Sequence, residues 1–390
     1  MTKLLIVTDH RFYSFENKIY DNYVFDYSFF EDYLSVFEQV TVMARVVELE
    51  NLNLELNLSS GLNVKFIKIP DVRGVKWLLN SKKIINSMRS TILQHDAYCF
   101  RIPSIASYHV SRLVKESPSI FELIGDPEES LININDSFFK KVSKSLLGKI
   151  FKYQTSYIVG GCVSGSYVSF EHLQNKFPIR NNFKSFTISS IRLLENQILP
   201  YIIDFDSFQK KLKIVHVGSF VAVKNQELLI EIVDILVLKG FDVKLQLIGD
   251  GGLKALCEKL VQIKKLENHI EFKGHVTGIE NILSLLDESN IFILPSSSEG
   301  MPRSLFEAMA RGLICFGSNR GGIPELLDAK FTFELESPNL IVEKIISTIK
   351  DTELVNKYRK KNLVMARSFE QSRLNKKRKE LLNELKNNIK

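Results

Sequence analysis

The chain has 390 residues, 45% hydrophobic and 25% charged, with 52 Lys and Arg against 45 Asp and Glu, for a formal net charge of +7. That length predicts two domains rather than one, in a chain of ordinary soluble composition. No apolar run reaches the roughly 18 residues needed to span a bilayer, and no RNA-binding, helix-turn-helix or zinc-finger signature accompanies the charge, so nucleic acid is not the expected partner.

The opening residues Lys3–Thr8 read as a buried strand, and the run is too short, and too soon broken by Asp9, for a signal peptide. Asp9, His10 and Arg11 follow it and are expected at the loop end of the sheet. A helix over Tyr27–Phe37, strands at Gln39–Ala44 and Val64–Ile69, and a helix around Ser81–Leu93 come next. Strand-like runs at Ala97–Ile102 and Ile120–Gly125 precede a helical pattern over Lys140–Ile158, then short runs near Ile158–Val163 and Ser185–Ile191. Alternating strands and helices predict a doubly wound parallel sheet. Asn196–Lys210 loses periodicity and reads as a linker, so the expected domains are 1–195 and 211–367. The four cysteines, Cys99, Cys162, Cys257 and Cys315, form no close pairs; free thiols fit better than disulfides or zinc, and a reducing cytoplasm fits with them.

The second half reads more clearly. Strands Ile214–Val217, Val243–Ile248, Ile270–Phe272 and Ile291–Leu294 each lead into a turn of small residues and then a helix. In such sheets ligands bind outside the carboxyl ends of the strands. After the last of these, Pro295–Gly312 passes a loop holding Glu299 and enters a helix near Arg303 that holds Glu307. The N–H groups at that helix start can receive an anion, and the carboxylates can accept hydrogen bonds from sugar hydroxyls. Another strand, Leu313–Gly317, ends in a Gly321-Gly322 turn expected to open a helix. No Gly-x-Gly-x-x-Gly follows the first strand, which argues against a nicotinamide or flavin enzyme.

With its Glu-x7-Glu spacing, its Glu-Ala-Met-Ala-x-Gly helix and its Gly-Gly-x-x-Glu turn, this half resembles the donor-binding half of a family-4 glycosyltransferase of bacterial surface-polysaccharide synthesis. The resemblance implies an α/β fold of the GT-B type: two Rossmann-like doubly wound parallel-sheet domains facing a deep interdomain cleft, with the C-terminal helix crossing back to the N-terminal domain. It implies a cytoplasmic, metal-independent enzyme without a cofactor, transferring sugar from a nucleotide-sugar donor to a glycan or lipid-linked acceptor with retention of configuration. Within it, Glu299 contacts the donor sugar and is the catalytic candidate of this half. Glu307 holds the ribose. Gly300, Met301, Pro302 and Arg303 line the sugar and phosphate, with N–H groups from all but Pro302. His275 and Val276 line the base. Gly218 and Lys224 match the family's phosphate-binding glycine and lysine, whereas Ser219 stands where an arginine is usual.

The first half is less specific. Asp9, His10, Arg11, Arg101 and Asp126 are its acceptor-side candidates, with His10 and Asp126 as candidate acid or base; Asp126 reads equally as a turn residue before Pro127. The last segment, 368–390, is an amphipathic helix with Phe369, Leu374, Leu381, Leu385 and Ile389 on one stripe. Docking onto the protein is its expected use. The alternative is peripheral contact with an anionic membrane through Lys376, Lys377, Arg378 and Lys379. Other functions compatible with the pattern are a non-catalytic nucleotide- or carbohydrate-binding protein, a nucleotide-sugar epimerase and a sugar phosphorylase.

Overall fold

A computed structural model describes the chain except residues 23–24, 53–55, 73, 129–137, 181, 190, 192, 205–210, 336 and 390, and the side chains of 75 and 138–143. The latter part of the expected linker, 205–210, therefore lies outside the described residues. The chain divides into two compact units, Met1–Ser190 with Leu374–Lys390, and Ile191–Arg373.

In the first unit, strands β1 (Lys3–Phe15), β2 (Lys18–Asp21), β3 (Gln39–Glu48), β4 (Asn57–Leu58), β5 (Val64–Pro70), β6 (Ala97–Ile102), β7 (Ser119–Leu123), β8 (Ser164–Tyr167) and β9 (Ser185–Thr187) form one sheet. Its parallel core runs β5-β3-β1-β6-β7-β8-β9. Helices α1 (Tyr27–Leu34), α2 (Gly74–Ser87), α3 (Arg89–Ile92), α4 (Ile105–Leu113), α5 (Phe138–Gly161) and α6 (His172–Lys176) connect these strands. Residues 158–161, read as the start of a strand, are the last turn of α5; the strand begins at Ser164.

The first strand also differs from its expected end at Thr8. It continues to Phe15 across a register shift between Val7 and Arg11, and then pairs antiparallel with β2. The polar step Asp9-His10-Arg11 is therefore a bulge inside a strand, not a loop after one. Apolar alternation resumes at Phe12, which is fully buried. The hairpin that follows turns on Glu16 and Asn17, both at positive φ (47° and 60°), the geometry of a two-residue turn whose twist matches its strands.

The C-terminal helix α13 (Gln371–Lys386) belongs to this first unit from Leu374 onward. Leu381, Leu382 and Leu385 are buried in the same core as Phe12, Phe25, Phe29, Phe30 and Tyr33. Arg378, expected on a solvent face, is buried and paired with Asp32 at 2.9 Å, its guanidinium 5.5 Å from the Phe29 ring. This helix is docked, and its apolar stripe is spent on the protein.

The second unit is a six-stranded parallel sheet in the order β12-β11-β10-β13-β14-β15. The strands are β10 (Lys211–Val217), β11 (Asp242–Ile248), β12 (Ile270–Gly274), β13 (Ile291–Leu294), β14 (Ile314–Ser318) and β15 (Thr332–Phe333). Helices α7 (Gln226–Leu238), α8 (Lys254–Lys264), α9 (Ile279–Asp287), α10 (Arg303–Ala310), α11 (Pro338–Lys350) and α12 (Thr352–Ser368) link or follow them. Every residue of β13 and β14 is buried, as a parallel strand covered on both faces must be. Strand order reverses between β10 and β13. In open α/β sheets a ligand binds outside the carboxyl ends of the strands at such a switch point. All four cysteines are free and buried, as expected.

Candidate functional site

The loops after β10 and β13 meet at this switch point. After β10, the backbone of Gly218 and Phe220 is stitched to the turn after β11: Gly218 N donates to Ile248 O and Phe220 N to Asp250 O, both at 2.9 Å. Only glycine permits this contact. Gly249 and Gly251 lie at φ +138° and +151°, and a Cβ on them would fall 2.1 Å from Gly218 O and 2.6 Å from Phe220 O. The segment Gly249–Gly251 thus shapes the edge that presents the β10 loop. Ser219 is exposed there, its carbonyl accepting from Gln226 Nε2 at 2.9 Å.

A single 3-10 turn, Ala222–Lys224, ends at Asn225 in the left-handed region and hands over to α7. It aims Lys224 across the switch point. The lysine stem passes Gly218, whose Cβ position would lie 3.5 Å from its Cδ. Its ammonium meets Glu299 Oε1 at 2.5 Å, with the two side chains 22% and 12% exposed. The loops are also tied by Ser297 N donating to Val223 O at 2.8 Å. Sequence reasoning gave Lys224 to the diphosphate and Glu299 to the sugar; the structure brings the two into contact.

Glu299 is held from behind by the Gly321-Gly322 turn. Gly322 N donates to Glu299 O at 3.0 Å. A Cβ on Gly321 would fall 2.0 Å from Glu299 O, and one on Gly322 would fall 2.0 Å from Gly300 O. The turn opens a single 3-10 turn, Ile323–Glu325, rather than the expected helix. Downstream, α10 begins at Arg303 after Pro302, with no side chain capping its first turn. Its N–H groups and the positive end of its dipole adjoin the Glu299 loop. Glu307, one turn in, is buried and meets Arg303 Nε at 3.3 Å. Burial holds its carboxyl above the usual range, and the Arg303 charge offsets part of that. His275 and Val276 follow β12, two strands from the switch point, His275 exposed and Val276 half-buried.

One residue beneath this site escaped sequence reasoning. His216 on β10 is fully buried, its Nδ1 bonded to Ile293 O at 2.9 Å. Its Nε2 has no partner and lies 3.0 Å from the Cβ position of Gly218. Burial lowers its pKa to about 4, with the Lys224 charge acting in the same direction. A depressed histidine favours folding fully above its unfolded pKa, near 6.5, and that contribution fades as pH falls towards 4. His216→Asn, which keeps a donor to Ile293 O, should therefore lose about 2 kcal/mol less stability than the parent between pH 7 and pH 5. Urea unfolding at the two pH values measures this; equal losses in parent and variant would contradict it.

The first-unit candidates are distributed differently. Asp9 is half-buried; its Oδ2 accepts from Ile105 N at 2.6 Å at the start of α4, and removal of the carboxyl from water raises its pKa. His10 Nε2 and Asp21 Oδ1 lie 2.7 Å apart, the imidazole against Phe12 and Phe25. Arg11 pairs with Asp71 at 3.2 Å. Arg101 is buried, paired with Glu122 and 4.8 Å from the Phe25 ring. Glu122 also accepts from Tyr33 Oη at 2.5 Å. This arginine lies in the interior of the domain, because its strand is covered on both sides. Asp126 is buried and accepts from Lys176 Nζ at 2.6 Å, with His172 Nε2 at 3.3 Å. It also accepts from Glu128 N at 2.8 Å, as a turn residue does.

The chain is similar to several known proteins. Over 364 residues the chain is 28% identical to Protein CapJ of Staphylococcus aureus, covering 89% of this chain and 86% of that protein. It is 24% identical over 275 residues to a poly(ribitol-phosphate) alpha-N-acetylglucosaminyltransferase of S. aureus strain COL, covering 65% of this chain and 53% of that one. Anabaena Alr3699/HepE, solved in complex with UDP, superposes with a TM-score of 0.66 at 14% identity, over 98% of this chain and 100% of that one. The fold is thus of the GT-B type, with two parallel-sheet α/β domains. Residues 202–363 match the family of glycosyl transferases group 1. The chain therefore carries a glycosyl transferases group 1 domain, and the Lys224–Glu299 pair lies wholly within it.

Proposed function

We propose that this protein is a retaining, metal-independent glycosyltransferase. It moves a sugar from a UDP- or GDP-linked donor to a glycan acceptor carried on a lipid, in the synthesis of a cell-surface polysaccharide. The observation that carries this reading is the Lys224–Glu299 pair at the switch point, beside the uncapped start of α10. A diphosphate needs a cation and N–H donors, and a sugar needs a carboxylate to fix its hydroxyls; this pair offers both within one contact. In transfer, the acceptor oxygen bonds to the anomeric carbon and the bond from that carbon to the diphosphate breaks. The acceptor proton leaves with the nucleoside diphosphate. Lys224 and the α10 N–H groups stabilise the charge that develops on the leaving group. Acceptor binding falls to the first unit, which holds the His10–Asp21 pair. The similarity to a poly(ribitol-phosphate) glycosyltransferase supports a surface-polymer acceptor.

Nucleotide titration tests the donor assignment. Glu307→Gln should weaken nucleoside diphosphate binding by about 1.5–3 kcal/mol, the worth of a charge-assisted hydrogen bond to ribose. Because burial raises the Glu307 pKa, parental binding should weaken as pH falls through that raised value, while the variant shows no such limb. Unchanged affinity in the variant would remove Glu307 from the site. Slow release of nucleoside diphosphate from nucleotide sugars without acceptor is expected of the transferase. A binding protein would release none, an epimerase would return a new nucleotide sugar, and a phosphorylase would require phosphate.

A further inference from the structure

The charge of this chain is not spread evenly. Helices α2, α3, α4 and α5 together hold ten Lys or Arg and no Asp or Glu. The rest of the chain is consequently slightly acidic, since the whole excess is +7. These helices are neighbours in one layer of the first unit. Helix α4 packs on β1 and β6 and is flanked by the other two long helices. On one side Ser81 Oγ of α2 lies 3.0 Å from His109 Nε2 of α4. On the other the Tyr108 ring of α4 lies 5.6 Å from that of Tyr157 of α5.

The outer face of this layer is apolar as well as basic. Leu79 is 74% exposed and Leu146 and Tyr153 are each 63% exposed. Lys76, Lys82, Lys83 and Arg89 are exposed around Leu79. Lys149 and Lys152 are exposed beside Tyr153, and Lys152 also lies 3.6 Å from Glu128. Leucine and tyrosine projecting from a ring of lysines is the pattern of a helix surface that sits in a lipid interface, where the aliphatic groups enter the acyl boundary and the ammonium groups meet phosphates. A polyanion such as RNA would use the lysines but not the leucines. No described helix is long and apolar enough to cross a membrane.

We propose that the α2–α5 layer is a peripheral docking surface for an anionic lipid bilayer, and that the C-terminal helix is not. The apolar stripe of α13 is already buried, and Arg378 is paired within the protein. This inference rests on charge and exposure alone, so its success or failure is independent of the transfer reaction.

The test is co-sedimentation of the full chain with vesicles of phosphatidylcholine, with and without phosphatidylglycerol, at low and high salt. Binding is expected on the phosphatidylglycerol vesicles at low salt, and its loss at high salt. Lys82→Gln/Lys83→Gln should weaken partitioning about 30-fold, at roughly fivefold for each lysine near the surface. Leu79→Ser should weaken it with little change in thermal unfolding, since that side chain is exposed. Lys376→Gln/Lys379→Gln on α13 should leave it unchanged. Equal loss in the α13 variant, no loss in the α2 variants, salt-insensitive binding, or displacement of the vesicles by single-stranded RNA would each overturn the proposal.

Discussion

Lys224→Ala is expected to lower sugar transfer by about 10²–10³-fold, the usual cost of deleting one preorganised group that stabilises charge developing in the transition state. Ser219 provides no cation where the resembling family has an arginine, so Lys224 carries more of the diphosphate charge. Arg303, the nearby alternative, already lies against Glu307. The contact with Glu299 adds a second expectation. In the free protein Lys224 is held by that carboxylate at 2.5 Å, and a bound diphosphate must compete with it. Glu299→Ala should therefore remove transfer while leaving nucleoside diphosphate affinity equal to or above that of the parent, because the competing anion is gone. Lys224→Ala should weaken the same affinity. Calorimetry with the free nucleotide and kinetics with the nucleotide sugar separate the two roles. If Glu299→Ala weakens diphosphate binding as much as Lys224→Ala, the division between sugar and phosphate is wrong. A wild-type rate in Lys224→Ala would move the phosphate site to Arg303 and the start of α10.

Much of the second domain was legible because its signals are local. The run Ile291–Leu294 bounded by Pro295 marks a buried strand, and a strand at those residues is what forms. The loop of small residues giving way to a helical pattern marks a helix start near Arg303, and α10 begins at that residue. The stripe Leu374, Leu381, Leu385 marked a docking face, and those leucines are buried. What the sequence hid depends on contacts between distant segments. Nothing local says that Lys224 and Glu299 touch, since their contact follows from strand order. Arg378 sits among lysines in a basic run, and only the position of Asp32 makes it an interior residue. The bulge at Asp9–Arg11 reads as a strand end because polar residues interrupt the apolar alternation. Its continuation shows only in the pairing of Arg11 to Ser14 with Arg45 to Glu48 of β3. The turn at Glu16-Asn17 lacks the glycine that usually marks such hairpins. His216 looked like any polar residue in a strand, and its burial under the glycine loop appears only in three dimensions.

Gly321→Ala is the substitution expected to harm the site most for the fewest atoms added. The added carbon would fall 2.0 Å from Glu299 O and 2.9 Å from Glu299 N, both backbone atoms that cannot rotate away. The residue also lies at φ +55°, which alanine adopts only at a cost of about 1 kcal/mol or more. Relief requires the Glu299 loop to move by more than an ångström, which would break the Gly322 N to Glu299 O bond and withdraw the carboxylate from Lys224. Misplacement on that scale costs on the order of 10²-fold in rate even when all reacting groups remain present. Transfer should therefore fall at least that far, while the fold, set by the buried strands β13 and β14, is retained. Free nucleoside diphosphate should still bind, since Lys224 and Glu307 stand on other segments. The contrast with Gly240→Ala is informative: that glycine also has a positive φ, +81°, but meets nothing within 4 Å. It should cost some stability and leave transfer near the parental rate. Circular dichroism confirms folding in both variants, and initial rates with the nucleotide sugar decide the comparison. Equal activity in the two would show that the Gly321 contact does not position Glu299.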